Sequence, residues 1–346
     1  MADPIRLLIT EGAASPFVRH LGECSLSNQF HLLIRKDDSE AALCAAAVEA
    51  DAILCYQAQL PASVIRAAPS LKFIQKHGLN CRNIDVAAAT DRHVPLATLS
   101  LMRSVTVAEH ALALILACAR KIIPGHQAVT AAVYREMGLE PVATSQGNYR
   151  PNWSRIKGIN EIFQSTVGIV GMGDIGMEIA RRCRAFGMRI VYFQRTRHPA
   201  AIEESLGMQY QPFDELLAQS DYVVLVIPHT PQTDGLMGAR EFARMKPSAT
   251  LINIGRGALV DEAALVAALR GNLIAMAGLD VYRTEPLPAD SPLLTLPNVV
   301  FQPHTGGGSY RTWEMDIPAV LGNIQAFFDS GRADGIVNDW RGVMRP

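Results

Sequence analysis

The chain has 346 residues, of which 49% are apolar and 19% charged, and its formal net charge at pH 7 is −1. Because this length exceeds that of a typical single domain, we expect two domains. The balanced charge and ordinary apolar fraction exclude a disordered chain and disfavour a nucleic-acid-binding one, which usually needs a basic excess.

Local composition bears on where the protein works. Residues 1–10 lack the basic, apolar and small-residue succession of a secretory signal, so we expect a cytoplasmic protein. The longest apolar run, 105–119, falls short of the about 20 residues that span a bilayer, which predicts a buried helix and no membrane contact. The 6 cysteines form no CxxC pair, so we expect reduced thiols and no metal site.

The first part of the chain alternates short apolar runs with helical patterns, which is typical of βαβ units in a parallel sheet. The predicted strands are 5–10, 51–55 and 71–76, and the predicted helices between them are 40–50 and 62–68. A long helix is predicted over 104–123, ended by Pro124 and Gly125. The following segment, 138–157, is rich in Gly, Pro and Asn, which indicates a linker or surface excursion.

A second alternating series predicts six strands, the number of a full dinucleotide-binding fold. They are 166–170, 189–193, 222–227, 250–254, 274–279 and 299–301. A last helix over 309–329, with Pro318 expected to kink it and Gly331 as its stop, should pack back onto the first series. The fold class is therefore α/β, with two Rossmann-like or flavodoxin-like domains, each with a parallel sheet, and a cleft between them. One domain comprises residues 1–103 plus 309–346, and the other comprises residues 104–308.

A GxGxxG motif, formed by Gly171, Gly173 and Gly176, stands directly after the strand at 166–170 and opens an amphipathic helix. The first glycine permits a tight turn, the second lets the backbone approach a pyrophosphate, and the third allows close packing of helix on strand. The helix N-terminus adds free N–H groups. Alone, the motif also fits a flexible turn, but in this context it predicts dinucleotide binding in residues 104–308, with Asp174 and Ile175 among the contacts.

The strand at 189–193 is followed by Gln194, where NAD-preferring enzymes carry an acidic residue for the adenosine ribose. Arg195, Thr196 and Arg197 come next. Two guanidinium groups, a hydroxyl and a neutral amide suit a ribose 2′-phosphate, which a carboxylate would repel. We therefore predict that NADP(H) is favoured over NAD(H). The alternative is a solvated loop in which Gln194 binds the 2′-hydroxyl.

Three more segments stand at predicted C-terminal ends of strands, where parallel sheets build their sites. They are 253–257 (NIGRG), 278–286 (GLDVYRTEP) and 303–307 (PHTGG). With the glycine turn, this ordered set closely resembles the D-2-hydroxyacid dehydrogenase family, which includes D-lactate, D-glycerate and phosphoglycerate dehydrogenases and glyoxylate/hydroxypyruvate reductases. The resemblance extends over nearly the whole chain. It implies an NAD(P)-dependent oxidoreductase that interconverts a small 2-keto acid and its D-2-hydroxy acid by hydride transfer.

The resemblance also implies a role for each catalytic residue. Arg256 would hold the substrate carboxylate and polarise the carbonyl, His304 would be the general acid/base, and Glu285 would pair with His304. The chemistry agrees, because hydride transfer builds negative charge on the carbonyl oxygen and an imidazole is suited to supply a proton near neutral pH. A carboxylate favours the protonated ring, and a planar guanidinium suits a carboxylate. Taken singly, each residue also fits an ordinary surface or turn role.

Further contacts follow from the same resemblance. Asp280 would hydrogen-bond the nicotinamide carboxamide, and the loop 228–233 would lie against the adenosine side of the cofactor. The remaining cofactor contacts in these segments are Pro228, Thr230, Thr233, Ile254 and Gly306. The helix with Glu109 and His110 resembles the family's interdomain helix, in which these residues are structural.

In residues 1–103 plus 309–346, the resemblance implies the substrate-binding domain. The loop 78–85 stands where the family has a Gly-rich loop that receives the carboxylate, which makes Leu79 and Asn80 candidates, although Asn80 replaces the usual second glycine. Arg103 stands where several members have an Asn that faces substrate. It would favour a substrate with a second acidic group or a polar tail, or would be a solvated helix-start residue. The resemblance also implies a homodimer, with an arm near 138–157.

Two alternatives on the same fold remain open. One is an NAD(H)-sensing interaction protein, like the transcriptional corepressors that resemble this family, although the absence of a basic or disordered tail favours an enzyme. The other is oxidation of formate or phosphite, which would use Arg256 and His304 differently. The substrate itself is left open, beyond the glyoxylate/hydroxypyruvate reductase or phosphoglycerate dehydrogenase-like range.

Overall fold

A computed structural model describes residues 4–78, 81–99, 102–309 and 311–340. The chain divides into two units, Met1–Arg103 with Ser309–Pro346, and Ser104–Gly308. Each unit has a sheet in which the paired strands are parallel. The predicted α/β class with two parallel sheets is confirmed.

The strands are β1 (Ile5–Ile9), β2 (Phe30–Ile34), β3 (Ala52–Cys55), β4 (Phe73–Lys76), β5 (Leu96–Thr98), β6 (Thr166–Val170), β7 (Arg189–Phe193), β8 (Met208–Tyr210), β9 (Tyr222–Leu225), β10 (Thr250–Asn253), β11 (Met276–Leu279) and β12 (Val299–Phe301). The helices are α1 (Pro16–Glu23), α2 (Glu40–Ala47), α3 (Ala62–Ala67), α4 (Val86–Asp91), α5 (Met102–Ala119), α6 (Ile122–Thr130), α7 (Asp174–Ala185), α8 (Ala200–Leu206), α9 (Phe213–Gln219), α10 (Ala239–Phe242), α11 (Glu262–Arg270) and α12 (Thr312–Ser330).

In the first unit, the described strands form a sheet of order β2-β1-β3-β4-β5. Every residue of β3 and β4 is buried, as expected for central parallel strands with both faces covered. The last helix, α12, packs its buried side chains, Ile317, Val320, Leu321 and Ile324, into the core on one face of this sheet. It ends at Ser330 and is capped by Gly331, which adopts a left-handed conformation with φ of 69°. The final helix therefore belongs to the first unit, as we expected.

In the second unit, the described strands form a sheet of order β12-β11-β10-β9-β6-β7-β8. The sequence predicted only six strands and missed β8 at the edge. That strand has 3 residues and follows Gly207, whose φ is 61°. So short a segment has no periodic pattern from which it could be recognised.

The predicted end of the long helix at Pro124 and Gly125 was wrong. The helix α5 already ends at Ala119, and Lys121, whose left-handed φ is 54°, precedes a separate helix, α6. Pro124 and Gly125 lie inside α6, where a proline in the first turn removes an N–H that has no helical partner anyway. In the described ranges, α5 is the one helix long and apolar enough to cross a membrane by length and composition, and 44% of it is buried. Its buried side chains belong to the core of the second unit.

Candidate active site

Six neighbouring strands of the second unit end in one register. The paired residues, from β7 through β6, β9, β10 and β11 to β12, are Phe193, Val170, Leu225, Asn253, Leu279 and Phe301. Because neighbouring strands lie about 4.8 Å apart, the loops that follow these residues share one edge of the sheet. Each of the predicted site segments in this unit follows one of these strand ends. The order in which successive strands are added to the sheet reverses beside β6, and such a switch point is where open parallel sheets bind ligands.

The glycine turn after β6 is shaped by close packing at two of its three glycines. Gly171 has φ of 104°, and a Cβ there would lie 2.5 Å from Ile227 Cγ2. A Cβ on Gly176 would lie 2.3 Å from the carbonyl oxygen of Gly171. Gly173 is different, because it is exposed at the start of α7 and a Cβ there would meet nothing within 4 Å. The open backbone at a helix N-terminus fits the phosphates of a dinucleotide.

The two residues between Gly173 and Gly176 are both partly buried. Asp174 is the acidic residue in the first turn of α7, where a negative charge interacts favourably with the helix dipole. The side chain of Ile175 packs against the core of the second unit. Their predicted contact with a cofactor stays a prediction.

The loop after β7 holds its residues in a defined arrangement. The Gln194 amide Nε2 donates to the carbonyl of Thr196 at 2.5 Å. Arg197 forms a bidentate pair with Glu203, with Nε–Oε1 of 2.9 Å and Nη2–Oε2 of 2.7 Å. The Arg197 hydrogen bonds are the main reason that the pKa of Glu203 is lowered to about 2. We expected both arginines to face a 2′-phosphate, but Arg197 is held by Glu203, so Arg195 is the guanidinium left for that task.

The same loop contains a residue that sequence reasoning missed. His198 Nε2 lies 2.7 Å from the carbonyl oxygen of Met172, inside the glycine turn. No motif spacing connects these positions, so only the folded chain reveals the contact.

The loop after β9 is closed by its own threonines. The Thr230 backbone N–H donates to Thr233 Oγ1 at 2.8 Å, and this hydroxyl lies 3.1 Å from the Pro228 carbonyl oxygen. Thr233 therefore shapes the loop that presents Pro228, which is exposed. Ile254, which follows β10, is only 7% exposed, and its side chain lies in the core. The structure therefore does not bring the Ile254 side chain to the site.

The turn that carries Arg256 is fixed by Asn253, which is 1% exposed. Asn253 Oδ1 accepts from Gly255 N–H at 3.1 Å, and its Nδ2 donates to the Arg256 carbonyl at 3.0 Å. The Arg256 side chain is exposed, with Nη1 donating to the Gly255 carbonyl at 2.6 Å. A Cβ on Gly257 would lie 1.8 Å from the carbonyl carbon of Tyr282. The Arg256 turn therefore packs directly on the loop that leads to Glu285.

Glu285 and His304 are brought together as predicted. Glu285 Oε2 lies 2.7 Å from His304 Nδ1, and Glu285 Oε1 accepts from the Tyr282 backbone N–H at 3.0 Å. Burial alone would raise the pKa of Glu285, but the hydrogen bonds from His304 and Tyr282 outweigh it and lower the pKa. The Tyr282 hydroxyl lies 2.8 Å from the Gln302 carbonyl oxygen, which ties this loop to the one that carries His304.

Asp280 holds the backbone that follows His304. It is 2% exposed, and its two oxygens accept from Thr305 N–H at 2.8 Å and Gly306 N–H at 2.9 Å. His110 Nε2 lies 3.1 Å from Oδ1. Burial raises the pKa of Asp280, yet these partners outweigh it and lower the pKa. Asp280 thus faces the chain's own backbone, and its predicted bond to the nicotinamide carboxamide stays a prediction.

The first unit carries the predicted substrate contacts. Leu79 and Asn80 lie outside the described residues. Gly78, just before them, has φ of 98°, and a Cβ there would meet nothing within 4 Å. Arg103 is exposed at the start of α5. Burial, with the charges of Lys76 and Arg103, lowers the pKa of His77 to about 4, so Arg103 lies near the carboxyl end of β4.

Comparison with known proteins identifies the family. The family model described as D-isomer specific 2-hydroxyacid dehydrogenase, NAD binding domain, matches residues 112–306. A glyoxylate reductase of Korarchaeum cryptofilum is 33% identical, over 94% of this chain and 95% of the relative. A glyoxylate/hydroxypyruvate reductase B of Klebsiella pneumoniae is 38% identical over 76% of this chain and 77% of the relative.

Solved structures of similar proteins also include 2-keto acid reductases. An NADPH-dependent glyoxylate/hydroxypyruvate reductase from Sinorhizobium meliloti, in complex with NADP and malonate, has a TM-score of 0.66 and 29% identity, covering 99% of this chain and 100% of that one. These relatives are named as enzymes, so the comparisons do not favour a dinucleotide-sensing interaction protein. We conclude that the chain belongs to the D-isomer specific 2-hydroxyacid dehydrogenase family and is a nicotinamide-dependent oxidoreductase of 2-hydroxy acids.

Proposed function

We propose that this enzyme reduces a small 2-keto acid of the glyoxylate or hydroxypyruvate kind to the D-2-hydroxy acid, with NADP(H) favoured over NAD(H). The observation that carries the proposal is the pair of Glu285 and His304, 2.7 Å apart, on the sheet edge that also carries Arg256 and the glycine turn. Relatives named as glyoxylate reductases support the substrate class.

Each residue has a task that follows from its chemistry. When bound, the reduced nicotinamide supplies a hydride to the carbonyl carbon. The Arg256 guanidinium binds the substrate carboxylate and stabilises the charge that grows on the carbonyl oxygen. His304 donates a proton to that oxygen, so one hydride and one proton convert the ketone to the alcohol. Glu285 orients the ring through Nδ1 and stabilises its protonated form.

The preference for NADP(H) is supported by the loop after β7. The acidic residue typical of NAD-preferring enzymes is replaced by Gln194. Arg195 is exposed, and within the described residues its side chain makes no hydrogen bond or ion pair, so its guanidinium is available to an anion. The Sinorhizobium meliloti relative is named as NADPH-dependent.

The proposal is tested by following NADPH and NADH oxidation with glyoxylate, hydroxypyruvate and pyruvate. We expect turnover with at least one of the first two and a higher kcat/KM with NADPH than with NADH. Arg195→Ala should lower kcat/KM for NADPH more than for NADH. Absence of turnover with every 2-keto acid would refute the activity, whereas turnover that favours NADH would refute only the cofactor preference.

We also propose that the protein is a cytoplasmic homodimer. All six cysteines are free thiols, which suits a reducing compartment. Residues 141–150 are exposed throughout, including Val142 and Tyr149, at 42% and 65%. A cavity of about 290 Å³ is lined by Val142 and other residues of this segment and by the flanking Tyr134, Leu139 and Trp153. A second copy would bury these apolar side chains.

Light scattering with size-exclusion chromatography measures the oligomeric state. We expect a dimer whose dissociation constant rises when Tyr149 is changed to Asp. A wild-type monomer at micromolar concentration would contradict the dimer. Fractionation of the producing cells, with the protein found in the soluble cytoplasmic fraction, tests the location, and its recovery in a membrane or exported fraction would contradict it.

A further inference from the structure

His198 is fixed between the glycine turn and the strand beside it. Its Nε2 lies 2.7 Å from the carbonyl oxygen of Met172. Because a carbonyl oxygen only accepts, the ring must carry its proton on Nε2 and donate it to Met172. The backbone N–H of the same residue donates to the Tyr192 hydroxyl oxygen at 2.9 Å. Main chain and ring are thus each held by a partner.

The support beneath His198 is buried. Tyr192 is fully buried, and its hydroxyl donates to Glu203 Oε1 at 2.8 Å. Burial raises the pKa of Tyr192 to about 12, so the hydroxyl keeps its proton. Glu203 is 8% exposed and also receives both hydrogen bonds of Arg197. A connected polar network therefore holds the His198 backbone, from which the ring reaches Met172.

The contact with Met172 sets the direction of the next N–H group. The Met172–Gly173 peptide bond is trans, and in a trans peptide the C=O and the following N–H point in opposite directions. Since the Met172 carbonyl points at His198, the Gly173 N–H points away from it. Gly173 is exposed at the start of α7, with open space where a Cβ would stand. This N–H is thereby presented at a helix N-terminus, where phosphate groups bind.

We propose that His198 is a positioning residue for the dinucleotide. Through Met172 it preorganises the turn that receives the pyrophosphate, and it links that turn to the loop of Arg195. The inference rests on the proposed cofactor site. Because NADPH and NADH share the pyrophosphate, His198 serves both equally, whereas Arg195 serves only the cofactor with a 2′-phosphate.

The test measures dissociation constants of NADPH and NADH for the full-length enzyme by fluorescence titration. His198→Ala should weaken both cofactors by the same factor, about threefold to tenfold, the effect of losing one hydrogen bond. The ratio of the two constants and kcat at saturating cofactor should stay within about twofold of wild type. His198→Gln, whose amide Nε2 still donates, should restore binding. Arg195→Ala should change the ratio instead.

A matched control exists in the first unit, where the His93 ring Nδ1 lies 3.1 Å from the Trp340 carbonyl oxygen. His93→Ala removes the same kind of contact from the unit that does not contain the glycine turn, and it should leave both constants unchanged. Unchanged binding in His198→Ala would overturn the proposal, as would equal losses in His198→Ala and His198→Gln.

If His198→Ala does not fold, comparison of His198→Gln with the shorter His198→Asn carries the test, with only Gln expected to bind like wild type. Equal binding by these two variants would then overturn the proposal. A wild-type enzyme that prefers NADH would remove the cofactor preference proposed above, but it would leave this comparison intact because both cofactors are measured.

Discussion

Glu285 is bonded at both of its carboxylate oxygens. Oε2 lies 2.7 Å from His304 Nδ1, and Oε1 accepts from the Tyr282 N–H at 3.0 Å. The carboxylate therefore cannot turn without losing one of these partners. Because Nδ1 of His304 is engaged, Nε2 is the ring nitrogen available for proton transfer to a substrate.

Replacing His304 with Gln should lower kcat by about 10²–10⁴-fold, because the proton donor is lost while the ring's place is filled by a neutral amide. The dissociation constant of NADPH should change little, since the glycine turn lies on other strands. Steady-state kinetics and fluorescence titration measure the two quantities. Near-normal turnover would discard His304 as the acid/base.

Replacing Glu285 with Gln should shift the pH profiles of both reaction directions to lower pH. The pKa of Glu285 is lowered in the folded chain, so the carboxylate is charged from neutral pH down below its ordinary range. Loss of this charge removes the stabilisation of a protonated ring. Reduction, which needs the protonated ring, should decline at lower pH than in wild type, and oxidation should rise at lower pH. The pH dependence of kcat, measured for reduction and for oxidation, tests this shift. Profiles that coincide with those of wild type would contradict the prediction.

The Arg197–Glu203 pair should stabilise the fold in a pH-dependent manner. The pKa of Glu203 falls from 4.5 to about 2 on folding. A depressed folded-state pKa contributes stability above pH 4.5, and that stability is lost as pH falls toward about 2. Wild type should therefore be more stable than Glu203→Gln at pH 7, and this difference in stability should shrink as the pH falls from 4.5 toward about 2. Urea unfolding at a series of pH values measures the free energy of unfolding of both proteins.

The matched control is Glu204→Gln, because the neighbouring Glu204 is exposed. The free energy of unfolding of this variant should equal that of wild type at every pH. If the difference in the free energy of unfolding between wild type and Glu203→Gln stays constant from pH 7 to pH 2, the ionised pair is not the cause of that difference.

Replacing Gly257 with Ala should impair catalysis by displacing the Arg256 turn. The added Cβ would lie 1.8 Å from Tyr282 C and 2.3 Å from Arg283 N, which is far closer than van der Waals contact with either backbone atom allows. A misplacement of about 1 Å can cost about 10²-fold in rate. We expect kcat/KM for the keto acid to fall by about that factor, with a smaller loss in cofactor binding. Gly22→Ala, where a Cβ meets nothing within 4 Å, is the control.

The pairing of Glu285 with His304 was implied by the family resemblance, and the sequence itself predicted that both residues follow strand ends. Parallel strands that end in register place the loops with Glu285 and His304 on one edge, and strand ends can be recognised from apolar runs. The glycine turn could be predicted for a different reason, since the three glycines, the strand before them and the helix after them are adjacent in the chain.

Other features depended on partners that no local pattern reveals. Arg197 was expected to face a phosphate, but it pairs with Glu203. His198 was not recognised, because its bond to Met172 joins residues of two different loops. The break between α5 and α6 depends on the left-handed conformation of Lys121, which the lysine side chain does not signal. Tertiary neighbours decide such details.

The register of the six strand ends has a further consequence for how this protein can change. Each of those ends is held by a neighbour, so lengthening one loop does not slide the strand beneath it. Selection or engineering can therefore rewrite the segment after β7 for a different nucleotide while the residues after β11 and β12 keep their places. The sheet keeps its register while the loops that carry separate chemical functions change independently of one another.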